Sequence, residues 1–261
     1  MQITRRALLT ILSVAATPIA AMAQQPIGTL HCNDGDGVPL TMGQTVTVRG
    51  IVTQQFPTLV NTRLFIQDAT GGINIFGTPL YCGNIGDDLT VQGVVSQFNG
   101  LTEVASPLVI TVNSVGNTPP APIPLTLAEL NETYQPDNCE PDEGKLVEVQ
   151  SAIVRTTTGA MPSGDFLPST VYNLENFGPD STTNFALLFI YGGSYMCSAA
   201  PLVDSPIPQT AIHVAGVISQ YQTSAAPFNG SYEIIPRFPS DLCCFTPVRN
   251  QTWGQIKLKY R

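Results

Sequence analysis

One block occurs twice in this chain, and the repetition constrains its architecture more than any other feature. Residues 89–98 read LTVQGVVSQF and residues 212–221 read IHVAGVISQY. Each block leads to a Phe-Asn-Gly, Phe98-Asn99-Gly100 in the first case and Phe228-Asn229-Gly230 in the second. Each then reaches a glutamate, Glu103 or Glu233. A match of this kind at distant positions marks an internal duplication, so the fold must be one that a chain can build twice. Apolar and polar residues alternate in both blocks around an interior glycine, which is the period of a half-buried strand.

The segments before each block repeat the same plan. In the first half, strands are expected at 44–53 (QTVTVRGIVT), 63–68 (RLFIQD), 72–76 (GINIF) and 88–97 (DLTVQGVVSQ), with the second and third joined by a tight hairpin at Ala69-Thr70-Gly71. Asn99-Gly100 turns into a short strand at 101–104, and a separate strand at 109–115 closes the half. The second half offers 145–155, 170–174, 185–191 and the repeated block. Between them, 117–124 (NTPPAPIP) is a stiff extended linker, and 126–131 (TLAELN) is the best helix candidate. Gly50, Gly93 and Gly216 lie inside strands, where a small barrel must bend to close. About five short strands per half with glycine-kinked first and fourth strands predict an all-β chain of two tandem OB-fold-like five-stranded barrels. A β-sandwich is the alternative. The expected division is a signal peptide at 1–23, a first OB-like domain at 24–116, a Pro-rich linker and lead-in at 117–144, a second OB-like domain at 145–246 and a basic tail at 247–261.

The first residues read as an address. Arg5 and Arg6 precede an apolar stretch at 7–20, and Ala21-Met22-Ala23 has the small-x-small pattern of a cleavage site. The stretch falls short of the roughly 20 residues of a spanning helix, although an N-terminal anchor is the alternative. The arginine pair is compatible with general or twin-arginine export. The expectation is a protein of the periplasm, cell surface or exterior with no membrane span in its mature chain. In such an oxidising place the six cysteines, Cys32, Cys82, Cys139, Cys197, Cys243 and Cys244, read as disulfides. Chain order suggests that Cys32 pairs with Cys82, leaving Cys139 and Cys197 to meet Cys243 and Cys244. A metal site is the alternative, without any Cys-x-x-Cys to favour it. From Gln24 to Val248 only Arg49, Arg63, Lys145, Arg155 and Arg237 face nineteen acidic residues, a balance of −14. A body this acidic repels phosphate backbones unless its few cations are clustered.

Three stretches, VTVRGIVT at 46–53, FIQDATGGI at 65–73 and GDDLTVQGVVSQFNGLTE at 86–103, resemble the OB-fold-like domain attached to many bacterial extracellular nucleases and other secreted proteins. The close of the second half, YEIIPR at 232–237 with Ser240-Asp241-Leu242, is similar to that domain's ending. The resemblance covers roughly residues 35–242. It implies an accessory module taken to bind nucleic acid on the strength of its fold, with catalysis residing elsewhere. The last ten residues, TWGQIKLKYR, resemble a short terminal tag of exported bacterial proteins; a frayed tail, or Trp253 docked on the body, is the alternative.

No catalytic constellation is legible. His31 and His213 are isolated, and no G-x-S-x-G, phosphate loop or H-E-x-x-H occurs. Asp87-Asp88 and Asp142-Glu143 sit at turns, where solvated carboxylates are the ordinary explanation. Asp34 and Asp36 begin like a calcium loop, but position twelve is Thr45, so a plain turn is preferred. The candidate ligand face is an outward row on strands two and three, Arg63, Phe65, Gln67, Asn74 and Phe76, opposite inward Leu64, Ile66, Ile73 and Ile75. Aromatics there can stack on bases or sugars. The competing reading packs Phe65 and Phe76 under a loop or against the other half. The expected role is a non-enzymatic, cofactor-free secreted binding or surface module. Its candidate partners are single-stranded nucleic acid, a cell-surface polymer or a secreted enzyme. The alternatives are a structural or adhesive surface protein without a small ligand, and an accessory subunit of a hydrolase.

Overall fold

The computed structural model describes residues 23–56, 60–176, 185–192 and 202–244. The period-two segments form β1 (Thr45–Gln55), β2 (Thr62–Gln67), β3 (Gly72–Gly77), β4 (Asp88–Phe98) and β5 (Leu101–Ser114). They close a barrel in the order β1-β2-β3-β5-β4. All of its pairings are antiparallel except β3 with β5. The inward residues are those that alternation assigns. Leu64 and Ile66 on β2 and Ile73 and Ile75 on β3 join Val46, Val48, Leu89 and Val91 in one buried cluster. Each such side chain contributes about 1.5–3 kcal/mol by leaving water.

The second half builds the same circuit. β7 (Leu146–Arg155), β8 (Thr170–Asn176), β9 (Phe185–Ile190), β10 (Ile212–Gln220) and β11 (Tyr232–Ile235) run in the order β7-β8-β9-β11-β10, and a β10–β7 pairing closes the ring. β9 and β11 are parallel, as β3 and β5 are. β6 (Ile123–Leu125), from the Pro-rich linker, adds to β7, and β12 (Leu242–Cys244) adds to β10. The chain is therefore two tandem OB-like barrels. The expected helix is α1 (Leu127–Asn131), begun by a capping box in which the Thr126 hydroxyl accepts from the Glu129 backbone N–H at 3.1 Å and the Glu129 carboxylate accepts from the Thr126 N–H at 2.8 Å. No helix of the described residues is long and apolar enough to cross a membrane.

Two strand expectations change. The pieces at 101–104 and 109–115 are one fourteen-residue strand, β5, that passes through Pro107. Proline is tolerated because 106–108 lack a ladder partner on either side: β5 pairs with β3 only at 103–105, and its pairing with β4 breaks between Ala105 and Val109. The register slips between Gln92 and Val94, so that 106–108 of β5 stand opposite Gly93 alone, a bulge in β5 that curves the pair. At Gly50, β1 changes partner: Thr45–Ile51 pairs with β4 and Ile51–Gln55 with β2. A Cβ there would lie 2.8 Å from the Gln67 backbone oxygen, so the crossing needs glycine.

The disulfide expectation is corrected. Cys32 bonds Cys139, across 107 residues, and Cys82 is bonded to a different cysteine. The two backbones form a β-bridge at Cys32 and Cys139, which brings their Cα atoms to 4.0 Å. Chain order is thus a poor guide, because Cys32, in the lead-in to β1, meets a cysteine of the linker rather than one of its own barrel. Residues 1–22 of the signal peptide expected at 1–23, Cys197, the side chains of Cys243 and Cys244 and the expected basic tail lie outside the described residues.

Candidate ligand cleft between the barrels

The outward row on β2 and β3 is correctly phased but differently used. Phe65 is 1 % exposed and packs with Phe56, Leu101, Leu146, Val217 and Ile235 in a cluster drawn from both barrels. The Gln67 side-chain oxygen accepts from the Leu146 backbone N–H at 2.8 Å. Gln67 and Asn74 are buried, and Asn74 donates to Glu103 at 3.0 Å. The centre of the expected ligand face is therefore the seat of the second barrel. A row of Phe and Gln that docks on another domain has the same sequence pattern as one that docks on a ligand, which is why alternation cannot separate them. Arg63 and Phe76 remain half-buried at the rim.

At that rim the two barrels leave a cleft. One part, about 160 Å³, is lined by Arg63, Asn74, Phe76, Phe98, Leu101 and Glu103. A second part, about 350 Å³, shares Arg63, Phe98 and Leu101 and continues along Val171, Phe189, Tyr221 and Glu233. Phe98 and Tyr221 close the repeated block in each half. They are 55 % and 52 % exposed, and their ring centroids lie 6.3 Å apart. Gly100 bridges to Tyr221, and the Gln222 backbone N–H donates to the Asn99 carbonyl at 2.7 Å, so the two block ends hold each other. The Arg63 guanidinium sits 5.1 Å from the Tyr191 ring centroid and 5.8 Å from that of Phe56. Aromatic faces hold it by cation–π attraction. Among the described residues no carboxylate comes within ion-pair distance of it.

The repeated glutamates are the cleft's acids. Ser96 pairs with Glu103 between β4 and β5, and Ser219 with Glu233 between β10 and β11, so both occupy one position of the repeat. Glu103 accepts from Ser96 Oγ and Asn74 Nδ2, each at 3.0 Å. Burial raises its pKa, while those hydrogen bonds and Arg63 oppose the rise. Burial lifts Glu233 to about 7 against the pull of Arg63. Residue pattern alone identified the two glutamates as equivalent, but not as buried.

The remaining candidates are structural. Asp34 Oδ1 accepts from the backbone N–H groups of Asp36 and Val38 at 2.9 and 3.0 Å, so it closes a turn. Among the described residues no three His, Cys, Asp or Glu side chains cluster as a metal site would need. His213 Nε2 faces Glu148 at 3.3 Å across β10 and β7. The acidic pairs are not all solvated. Asp87 is buried and accepts from the Tyr81 hydroxyl at 2.9 Å, and Asp88 chelates Arg49. Asp142 pairs with Lys145, but Glu143 is fully buried and accepts from the Thr102 backbone N–H at 2.9 Å. Glu143 also faces His31 Nδ1 at 3.3 Å, and His31 Nε2 donates to the Gly72 carbonyl at 2.6 Å. Next to it Glu140 accepts from Asn33 at 2.6 Å and from the Tyr232 hydroxyl. Burial and the nearby Glu143 lift Glu140 to about 8. This polar hub draws on the lead-in, the linker and both barrels, which no local pattern brings together.

No family model matches the chain. Endonuclease YhcR of Bacillus subtilis is 32 % identical over 124 residues, 45 % of this chain and 10 % of that protein, so the chain spans about a tenth of that relative's length. Among solved structures it is similar to a murine DNA-binding protein bound with double-stranded DNA (8 % identity, TM-score 0.36, covering 72 % of this chain and 90 % of that one). It is also similar to fission yeast Pot1 with single-stranded DNA (12 % identity, TM-score 0.27, covering 84 % and 88 %). At those TM-scores the likenesses carry no statement about ligands.

Proposed function

We propose that the protein is an exported, non-catalytic binding module whose ligand is a single-stranded nucleic acid taken into the inter-barrel cleft. The observation that carries the reading is the pair of exposed, repeat-equivalent rings Phe98 and Tyr221 beside an arginine that no carboxylate pairs among the described residues. Unstacked bases bind such rings, at about 1–3 kcal/mol each, and a guanidinium can meet the phosphate between them. The partial match to an endonuclease supports a role beside nucleic-acid chemistry. Export is supported by the charged-then-apolar leader and by the Cys32–Cys139 disulfide. A non-catalytic role is supported by the histidines: Glu143 and Glu148 hold both of them in barrel walls or junctions.

The test is fluorescence anisotropy of a labelled oligothymidine against the purified mature protein, from low to physiological salt. Binding is expected with a shallow salt slope, about 0.7 per phosphate neutralised, since one arginine serves the cleft. Phe98→Ala weakens it by about fivefold or more. No binding at low salt overturns the reading, and metal-stimulated hydrolysis of the oligonucleotide by pure protein overturns its non-catalytic part. The acidic body favours a second reading, a surface protein with a structural or adhesive role, which predicts no binding at any salt.

A further inference from the structure

The cleft combines features that conflict at neutral pH. It offers rings and a guanidinium to a nucleic acid, yet two carboxylates of the repeat line the same walls. With both glutamates ionised, the three formally charged side chains of the lining sum to −1. With both protonated they sum to +1. We propose that Glu103 and Glu233 are the specificity-determining residues of the cleft: ionised they exclude phosphate, and protonated they admit it, so the single-stranded ligand is held in acid and released in base. This inference rests on the nucleic-acid reading given above.

The surroundings of each glutamate support the assignment. Glu103 faces Arg63 from β2, Asn74 from β3, Ser96 from β4 and the buried Glu143 from the linker. Glu233 faces Arg63, and Ser219 of β10 and Leu187 of β9 lie opposite it in register. The Tyr221 phenol lines the same cleft. Arg63 is the sole cation in either set, and its position against two aromatic rings leaves neither glutamate a direct ion pair among the described residues. Burial raises both carboxylates toward the protonated form, Glu103 against the hydrogen bonds of Ser96 and Asn74, Glu233 with Arg63 alone opposing it. Two buried acids at one repeat position place the charge change where a ligand backbone must pass, not on the outer surface.

The experiment measures oligothymidine affinity of the mature protein from pH 5.5 to 8.5 at constant ionic strength, alongside Glu233→Gln, Glu103→Gln, the double variant and the exposed control Glu132→Gln. One proton required with the Glu233 value of about 7 weakens wild-type binding about tenfold between pH 6 and 8. The double variant is expected to bind at pH 8 as tightly as wild type does at pH 6, with a flat profile. The control is expected to follow wild type. If Glu103→Gln fails to fold, Glu233→Gln alone must remove most of the slope. A flat wild-type profile, or a slope that survives in Glu233→Gln, overturns the inference while leaving the nucleic-acid reading intact. No binding by any variant at any pH, including the double variant, overturns that reading itself.

Discussion

The strand-two and strand-three faces of the two barrels share one register and serve different ends. In the first barrel Arg63 pairs with Phe76 and Phe65 with Asn74; in the second, Val171 pairs with Phe189 and Asn173 with Leu187. The first barrel puts a phenylalanine at the centre of its face and the second an asparagine. Phe65 is buried against the other barrel, whereas Asn173 stays half-exposed. Glu175, beyond it, pairs with Arg155 at 3.2 Å. The outer corners of the two faces, Arg63 with Phe76 and Val171 with Phe189, meet across the cleft. Duplication supplied two equivalent surfaces. The centre of one became a joint, and its margin with the other became the cleft proposed to take a ligand.

The sharpest way to break this comparison is Phe65→Ala. A joint loses about 3–5 kcal/mol on thermal or urea unfolding. A ligand face loses affinity and keeps its stability, so unchanged unfolding would return Phe65 to the ligand. Cys139→Ser tests the same joint from the lead-in side and is expected to cost about 2–5 kcal/mol in calorimetry, since the bridge closes a long loop. Exposure of the barrel junction to proteolysis should accompany it.

The pH dependence comes next. Glu233 is raised from 4.5 to about 7 and Glu140 to about 8, so the folded state holds more protons than the unfolded one between those values. Their contribution is fully present below the unfolded pKa and is lost as pH rises through 7 and 8. Glu233 alone accounts for a loss on the order of 3 kcal/mol between pH 5 and 8. Asp68 and Asp88 are lowered by their hydrogen bonds and by Arg49, so they act in the opposite sense, with stability lost as pH falls through their own values. A melting temperature that rises from pH 5 to 8 would contradict the burial of the two glutamates.

The smallest effect separates the first strands of the two barrels. Gly50 and Ser151 stand at the same partner-switching position, two residues beyond the paired Val48 and Val149. Ser151 has φ of 58° in the left-handed region. Ser151→Gly is expected to add up to about 1 kcal/mol, read as a small rise in the denaturation midpoint. A loss would mean that the serine side chain holds the bend.

Much of the fold was legible because alternation and turn chemistry are local. The repeated block, the hairpin at Ala69-Thr70-Gly71, the cap at Thr126 and the glycines at 50, 93 and 216 each state a geometry within a few residues. Leu64 and Ile66 against Phe65 and Gln67 gave the correct inside and outside of β2. The two-piece reading of β5 failed because Pro107 breaks a strand only where its missing N–H is needed, and the pairing of neighbouring strands decides that.

Duplication, the all-β barrels and the equivalence of Glu103 with Glu233 were determined by the sequence alone, since each rests on periodicity or on matching segments. Tertiary structure decided the rest. It sent Cys32 to Cys139, gathered His31, Glu140, Glu143 and Tyr232 into one buried hub, and turned Phe65 from solvent to the second barrel. The physical reason is common to all three. An outward apolar or charged side chain carries no record of what will cover it, and only the docking of two surfaces remote in sequence fixes its dielectric and its partners.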